Sequence, residues 1–389
     1  MRLIRWAAPC VVLLALLMTG CGSGEGQLFE KTIPAPSLRG SMFNEPDQQP
    51  IAVYLPPSYA STADRYPVVY LLPGFNTGVE SFLDGRYEGF SLATSMDQLI
   101  AAGKTDDMIV VVVGGRNFLG YSFFVNSSVT GNWEDYLVRD VVRYVDKNYK
   151  TLAYPEKRGI AGYTSGGNAA FDVAMRNPDV FSLVYSLSPG LFGREGLRLH
   201  GMLGDRFIIL TLLEKQREFG ALPREQAHES YVSYIEALFS AGGPGDLNYA
   251  FAYAYGSAYS PDPVRKAPYI SLPYMGSDGS LSLNMSVWND WDRGFGRIDE
   301  KILTYKDNLL RLRGIVFEFG GFERKWMLDG GEYFTERLSQ AGVAVERVVR
   351  EGELAEDHLE GHDGGHVYEL RSRLEEHMFP WFSRMFAAE

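Results

Sequence analysis

Three side chains in this sequence have the types and chain order needed to turn a hydroxyl into a nucleophile: Thr164, Glu323 and His366. A hydroxyl attacks a carbonyl only when a base takes its proton, and the base works best when an acid holds its ring. Thr164 lies in Gly162-Tyr163-Thr164-Ser165-Gly166, followed by Gly167. A short apolar strand runs into these glycines, and a helix pattern leaves them. The layout is that of a sharp strand-to-helix turn, usually Gly-x-Ser-x-Gly, which lifts a nucleophilic oxygen clear of a sheet. Here threonine holds the serine place and a serine follows it. A β-branched residue is a poor fit to the left-handed backbone such a turn demands. The same glycines also suit a turn that does no chemistry.

His366 follows Gly364-Gly365, a lead-in that frees a loop histidine to reach a nucleophile. The other five histidines, His200, His228, His358, His362 and His377, are expected to be decoration. Glu323 is the expected acid, with Asp329 as its alternative on the same loop. Two backbone N–H groups are expected to hold the oxyanion, those of Ser165 and Phe75. A competing use of residues 357–366 is metal binding, since His358, His362 and His366 recur every four residues among carboxylates. The glycines there argue against a helix that would align them, and an ion site needs preset geometry. The expected chemistry uses no metal and no cofactor.

The elements that must position these residues are strands alternating with helices. Residues 66–72 and 108–113 are continuous apolar runs, read as strands buried on both faces of a parallel sheet. Residues 49–57 read as an edge strand stopped by prolines. A helix is expected over 132–149, a strand over 158–162 leading into the turn, a helix over 168–175 and a strand over 180–188. The sheet resumes at 314–320 and 343–349, with helices over 331–341 and 368–386. Alternation of this kind predicts a three-layer α/β fold whose site lies beyond the carboxyl ends of the strands. Pro73-Gly74, Gly114-Gly115 and Thr164 all fall at such ends.

Between about 190 and 313 the alternation stops. Helices are expected over 205–219, 224–239 and 298–312, with an aromatic-rich stretch around Tyr249, Phe251, Tyr253 and Tyr255 and with Trp288 and Trp291 beyond. As a segment this insertion would roof an apolar acyl or aryl group, while most of its individual aromatics would simply pack its own core.

The chain of 389 residues has 37 basic and 49 acidic side chains and a formal charge of −12. Nucleic-acid binding needs a basic footprint, so that class is excluded. Arg2 and Arg5 precede an apolar stretch over 7–18, too short to span a bilayer. Leu17-Met18-Thr19-Gly20-Cys21 resembles a bacterial lipobox. That resemblance implies a signal peptide over 1–20, a lipid on Cys21, a tether over 21–45 and a single domain over 46–389. It places the protein in the bacterial cell envelope, anchored to a membrane by lipid outside the cytoplasm. The two cysteines, Cys10 and Cys21, both lie in this leader, so the body has neither a disulfide nor a thiolate site.

Ordered motifs along the chain are similar to those of the esterase family of α/β-hydrolases, which includes S-formylglutathione hydrolase, enterochelin and feruloyl esterases and the mycolyltransferases. Residues 66–74 resemble its first core strand and His-Gly turn, with Pro73 in the histidine's place. Residues 123–149, with Asn126-Ser127, Gly131 and Trp133-Glu134-Asp135-Tyr136, resemble its next loop and helix. Residues 158–170 resemble its elbow, usually Gly-His-Ser-Met-Gly-Gly. Asn177-Pro178-Asp179-Val180-Phe181, Ser186-Leu187-Ser188 and Gly364-Gly365-His366 match further segments. The resemblance implies an α/β-hydrolase sandwich with a mostly parallel sheet. It implies hydrolysis of a small carboxylic ester, or transfer of its acyl group, by Thr164, His366 and Glu323. The alternative it leaves open is a catalytically silenced hydrolase fold kept for binding or scaffolding, because Thr164 puts a methyl group where the tetrahedral intermediate must form.

Overall fold

The computed structural model describes residues 24–86, 89–241, 244–277, 280–321, 323–350 and 370–388. Residues 1–20, read above as a signal peptide, and Cys21, His358, His362 and His366 lie outside the described residues.

Runs of β-branched and aliphatic residues make the centre. Val68–Leu72 (β3) and Ile109–Val113 (β4) are buried at every position, as continuous apolar strands of an enclosed parallel sheet should be. With β1 (Gln27–Pro34), β2 (Gln48–Leu55), β5 (Arg158–Tyr163), β6 (Leu183–Leu187), β7 (Gly314–Gly320) and β8 (Val345–Arg350), they form one eight-stranded sheet. Its order is β1-β2-β4-β3-β5-β6-β7-β8. The pairs β1–β2 and β2–β4 are antiparallel, and the rest are parallel.

Two apolar layers cover the sheet. One contains helix α1 (Leu92–Ala101), through Leu92, Met96 and Leu99, and the C-terminal helix α10 over 370–387, through Leu370, Leu374, Met378 and Phe382. The other holds α2 (133–148, with a π-helical middle at Tyr136–Val141), α3 (Ser165–Arg176) and α9 (Lys325–Gln340). This is the expected three-layer α/β sandwich.

Between β6 and β7 lie helices α4 (Arg206–Ala221), α5 (Arg224–Ala241), α6 (Pro244–Tyr259), α7 (Met285–Phe295) and α8 (Ile298–Leu309). Their aromatics Tyr231, Tyr253, Tyr255 and Trp291 are fully buried and join the same core as α3. A buried ion pair locks the insertion to α3. Lys301 Nζ of α8 donates to Asp172 Oδ1 at 2.7 Å and to the Gly294 carbonyl at 2.9 Å. Both side chains are more than nine-tenths buried, so neither charge has water to fall back on.

Four expectations need correction. Part of the supposed tether over 21–45 is β1, paired along its length with β2. Consequently the segment around 49–57 is not the edge but the second strand; β1 is the edge, blunted by Glu30 and Lys31. Helices α6 and α7 form where no helix was expected. Finally, α9 begins at Lys325 rather than 331, so Asp329 is not on a loop: it sits on an exposed helix face, paired with Lys325 Nζ at 2.6 Å.

One carboxylate in the β1–β2 connection makes stability depend on pH. Burial pushes the Glu45 carboxyl up to about 7, against the hydrogen bond it accepts from Phe118 N–H at 2.8 Å. A raised folded-state value means that the neutral form is favoured by folding. Its stabilising contribution is complete below the ordinary value of 4.5 and is lost as pH rises through about 7. Glu45→Gln keeps an acceptor for Phe118 and never ionises. Urea unfolding should show it more stable than wild type by roughly 2–3 kcal/mol at pH 8 and nearly equal at pH 4.5. A constant difference across that range would be incompatible with this account.

Candidate active site

The turn after β5 is built by close backbone approach. Thr164 has φ 51° and ψ −119°, a strained conformation for any residue with a Cβ and most of all for a β-branched one. It is held on both sides. Its N–H donates to the Leu187 carbonyl at 2.8 Å, and its carbonyl accepts from Gly167 N at 2.9 Å and Asn168 N at 3.2 Å. A Cβ on Gly162 would lie 2.2 Å from the Gly166 carbonyl oxygen, which is why glycine stands there. Asn168 Oδ1 accepts from Gly190 N at 2.8 Å, tying α3 to the loop that follows β6.

The two expected oxyanion donors are present as available amides. Ser165 is the first residue of α3, where an N–H has no intrahelical partner. Among the described residues no acceptor takes the N–H of Ser165 or of Phe75. The Phe75 loop is pinned around that amide. Tyr121 Oη donates to the Pro73 carbonyl at 2.6 Å, and Asn76 N donates to the Gly120 carbonyl at 3.2 Å.

The threonine methyl has a definite position. A Cβ built on Gly74 would sit 2.3 Å from Thr164 Cγ2, and its next neighbour is 3.3 Å away. The methyl therefore fills the space between the turn and the Phe75 loop. Gly74→Ala is expected to cost about 2 kcal/mol in the wild-type chain, as overpacking does. Beside Thr164→Ser, where the methyl is gone, it should cost well under 1 kcal/mol. A double-mutant cycle by chemical denaturation checks this, and additivity would refute the placement of the methyl.

The remaining expected groups are reached through a backbone ladder. Beyond Thr164 N to Leu187 O, Ser188 N donates to Glu318 O at 2.7 Å and Gly321 N to Arg350 O at 2.7 Å. The ladder thus runs from the threonine turn past the loop of Glu323 to the residue where the His366 segment begins. Glu323 is 6% exposed and follows β7 directly, its N–H bonded to the Gly320 carbonyl at 3.3 Å. The structure therefore brings Thr164, Ser165 and Phe75 together at the carboxyl end of the sheet and puts Glu323 at the end of β7. His366 and Cys21 lie outside the described residues.

The other described histidines have structural partners. His228 Nδ1 lies 3.0 Å from Tyr269 Oη. His377 is lowered by burial first and by Arg350 next. His200 Nδ1 accepts from Met202 N, and its ring stacks on Phe251 at 5.1 Å and meets Trp326 at 5.5 Å. Phe251 in turn packs on Phe75 at 5.0 Å. A continuous aromatic wall, Phe75–Phe251–His200–Trp326, therefore joins the Phe75 loop to the helix after Glu323. Of these four rings the sequence singled out only Phe251, as one of the aromatics of the insertion; the wall itself emerges with helix α6. A cavity of about 270 Å³ opens beside Trp326 and is lined by Arg194, Leu199 and Tyr333; Thr164 does not line it. Among the described residues no group of three or more His, Cys, Asp or Glu could hold a metal ion.

With this geometry in view, comparison with known proteins is informative. The family described as "Putative esterase" matches residues 46–228, which contain the Phe75 loop and the threonine turn. Those residues, just under half of the chain, are similar to that esterase family. An endo-1,4-beta-xylanase/feruloyl esterase of Xylanibacter ruminicola is 29% identical over 195 residues, 49% of this chain and 26% of its own length. An esterase of Mycobacterium tuberculosis is 30% identical over 153 residues, 39% of this chain and 31% of its own. The chain thus spans roughly a quarter to a third of these curated relatives. A solved ferulic acid esterase superposes with a TM-score of 0.56 at 18% identity, covering 94% of this chain and all of that one. At such identity the superposition establishes the α/β-hydrolase fold, which the esterase family shares. The family match ends inside the insertion and reaches neither Glu323 nor His366, which rest on chain order.

Proposed function

We propose that this chain is a carboxylic-ester hydrolase in which Thr164 is the nucleophile, His366 the base and Glu323 the acid that orients it. The observation that carries the reading is the backbone of Thr164. A β-branched residue is kept at φ 51°, between two amides that have no acceptor among the described residues, at a strain of roughly 1–3 kcal/mol that a plain turn has no reason to keep. In this reading Thr164 Oγ1 bonds to the ester carbonyl carbon while its proton passes to His366. The carbonyl oxygen, now an anion, accepts hydrogen bonds from Ser165 and Phe75 N–H. Collapse breaks the C–O bond and the alcohol leaves with the proton from His366. Water then releases the acid by the same steps.

The aromatic wall supports an acyl or alcohol part with an aromatic ring, in line with the feruloyl esterase activity named for one relative. The lipobox-like segment supports attachment of the mature chain to the cell envelope by lipid on Cys21. A second reading, a silenced hydrolase that binds its ligand without turning it over, is favoured by one observation, the Thr164 methyl above Gly74. Trapping the intermediate separates the two. Brief exposure to p-nitrophenyl butyrate, acid quench and peptide mass spectrometry should find a butyryl group on Thr164, absent from His366→Ala. A protein that never acylates, while Thr164→Ser does, is the silenced hydrolase.

A further inference from the structure

The cavity beside Trp326 has a fixed frame. One side of it is the loop after β6, residues 193–199, and the other is the first half of α9. The two sides meet backbone to backbone. A Cβ on Gly330 would lie 1.9 Å from the Leu191 carbonyl oxygen, and one on Gly193 would lie 3.4 Å from the Gly330 Cα. That contact sets the spacing of the two sides, so the cavity is preformed, as ligand sites usually are. Tyr333, in its lining, is held from behind. Its hydroxyl donates to Asp299 Oδ2 at 2.6 Å, and Asp299 Oδ1 accepts from Arg337 Nε at 2.5 Å.

The charges of the lining do not cancel. Glu195 faces Arg198 at 3.6 Å, and Asp329 pairs with Lys325 Nζ at 2.6 Å. Each lining carboxylate thus has a cation of its own. Arg194 has no such answer: among the described residues no carboxylate pairs with it, and its guanidinium lies over the Tyr333 ring, 5.2 Å from the centroid. A guanidinium stacked on a ring keeps its N–H edge free to donate. Trp326 adds an aromatic body at the end of the aromatic wall. Its indole Nε1 is buried and has no acceptor among the described residues, a costly state for a donor. Leu199, more than half exposed, gives the cavity an apolar rim.

We propose that this cavity is a binding site for a small aromatic carboxylate, separate from the threonine turn. The carboxylate accepts two hydrogen bonds from the N–H edge of Arg194, and the ring packs against Trp326 and Leu199. Three properties of the cavity select this ligand. The uncancelled cation favours an anion over a neutral alcohol or sugar. The ring lining favours an aromatic body over inorganic phosphate. The volume of about 270 Å³ is at the small end of ligand pockets, room for a single ring and not for a lipid chain or a polymer. The site involves no turnover, so it stands whether or not Thr164 attacks esters.

Benzoate is the probe, titrated by calorimetry into the full chain. One site with Kd on the order of 1 mM is expected. Arg194 is exposed, so Arg194→Gln should fold as wild type does, and it should weaken benzoate by about tenfold or more. Arg194→Lys keeps the charge and loses the fork, and should fall between the two. Benzamide has the same shape without the charge, and should bind wild type about tenfold more weakly than benzoate does. Hydrogen exchange with benzoate bound locates the site. Amides over 193–199 and 326–333 should slow, while those over 74–76 and 162–167 should not. Four results would each overturn the proposal: no heat up to about 20 mM benzoate, equal benzoate affinity of wild type and Arg194→Gln, benzamide as tight as benzoate, or protection at the threonine turn in place of the cavity.

Discussion

Thr164→Ser is expected to raise the turnover of p-nitrophenyl esters by roughly tenfold or more, and Thr164→Ala to lower it by at least about 10³-fold. Both figures follow from the position of one methyl group. Cγ2 occupies the gap between the turn and Gly74, one residue before the Phe75 amide. An ester carbonyl becoming tetrahedral must put its oxygen between that amide and Ser165 N–H. Crowding of about 1.4 kcal/mol there is a factor of ten in rate. Serine removes the crowding and keeps the hydroxyl. It also relaxes a β-branched side chain at φ 51°, so Thr164→Ser should raise stability by on the order of 1 kcal/mol. In the proposed mechanism alanine removes the nucleophile and leaves only the two backbone amides and binding. Steady-state kinetics of the three proteins, with denaturation curves on the same samples, read both effects. If Thr164→Ala keeps its activity while Ser165→Ala loses it, attack comes from the first residue of α3 and the assignment of Thr164 is wrong.

What the sequence disclosed of this site, and what it hid, follows from the range of the interactions involved. Gly162, Gly166 and Gly167 meet one another and the neighbouring strands within a few residues, so their pattern is local and readable. The buried strands β3, β4 and β7 are readable for the same reason, as unbroken apolar runs. Strand β1 was not, because an edge strand exposes half its residues and Gln27–Pro34 mixes Glu30 and Lys31 with Leu28 and Ile33. Helix α6 hides differently. Phe251, Tyr253 and Tyr255 are followed by small residues such as Gly256 and Ser257, and a helix buried on several sides shows no amphipathic period. Asp329 was misplaced because the start of α9 carries charged residues and no side-chain cap. Glu318, a carboxylate inside the apolar run of β7, was read only as part of a strand. Its partners Arg350 and Arg373 stand 32 and 55 residues away, and only the fold brings them together.

The second large effect is expected at Gly166, and its sign runs against local propensity. Alanine is favoured over glycine inside a helix by about 1 kcal/mol. Gly220, exposed in α4 with nothing within 4 Å of a would-be Cβ, should follow that rule, so Gly220→Ala is expected to stabilise. Gly166 is also helical, but its Cβ would lie 2.2 Å from the Leu72 carbonyl oxygen and 2.5 Å from that of Pro73. Neither atom can swing aside as a side chain would. Leu72 is the last residue of β3, paired with Gly162, and the Pro73 carbonyl is gripped by Tyr121 Oη. The helix and the Phe75 loop must therefore move apart, at a cost of about 3 kcal/mol or more. In a chain of this size that is a fall in melting temperature of about 4 °C or more. The same displacement separates Phe75 N–H from Ser165 N–H, so activity should fall by more than stability alone explains, roughly 10²-fold in kcat at temperatures where the variant is folded. Gly167→Ala, with its nearest contact at 3.0 Å, should fall between the two. Equal behaviour of the three alanine variants would mean that the turn is not packed against β3 as tightly as the geometry requires. A graded series, with kcat lost in the same order as stability, would tie the close backbone approach at this turn to the alignment of the two amides.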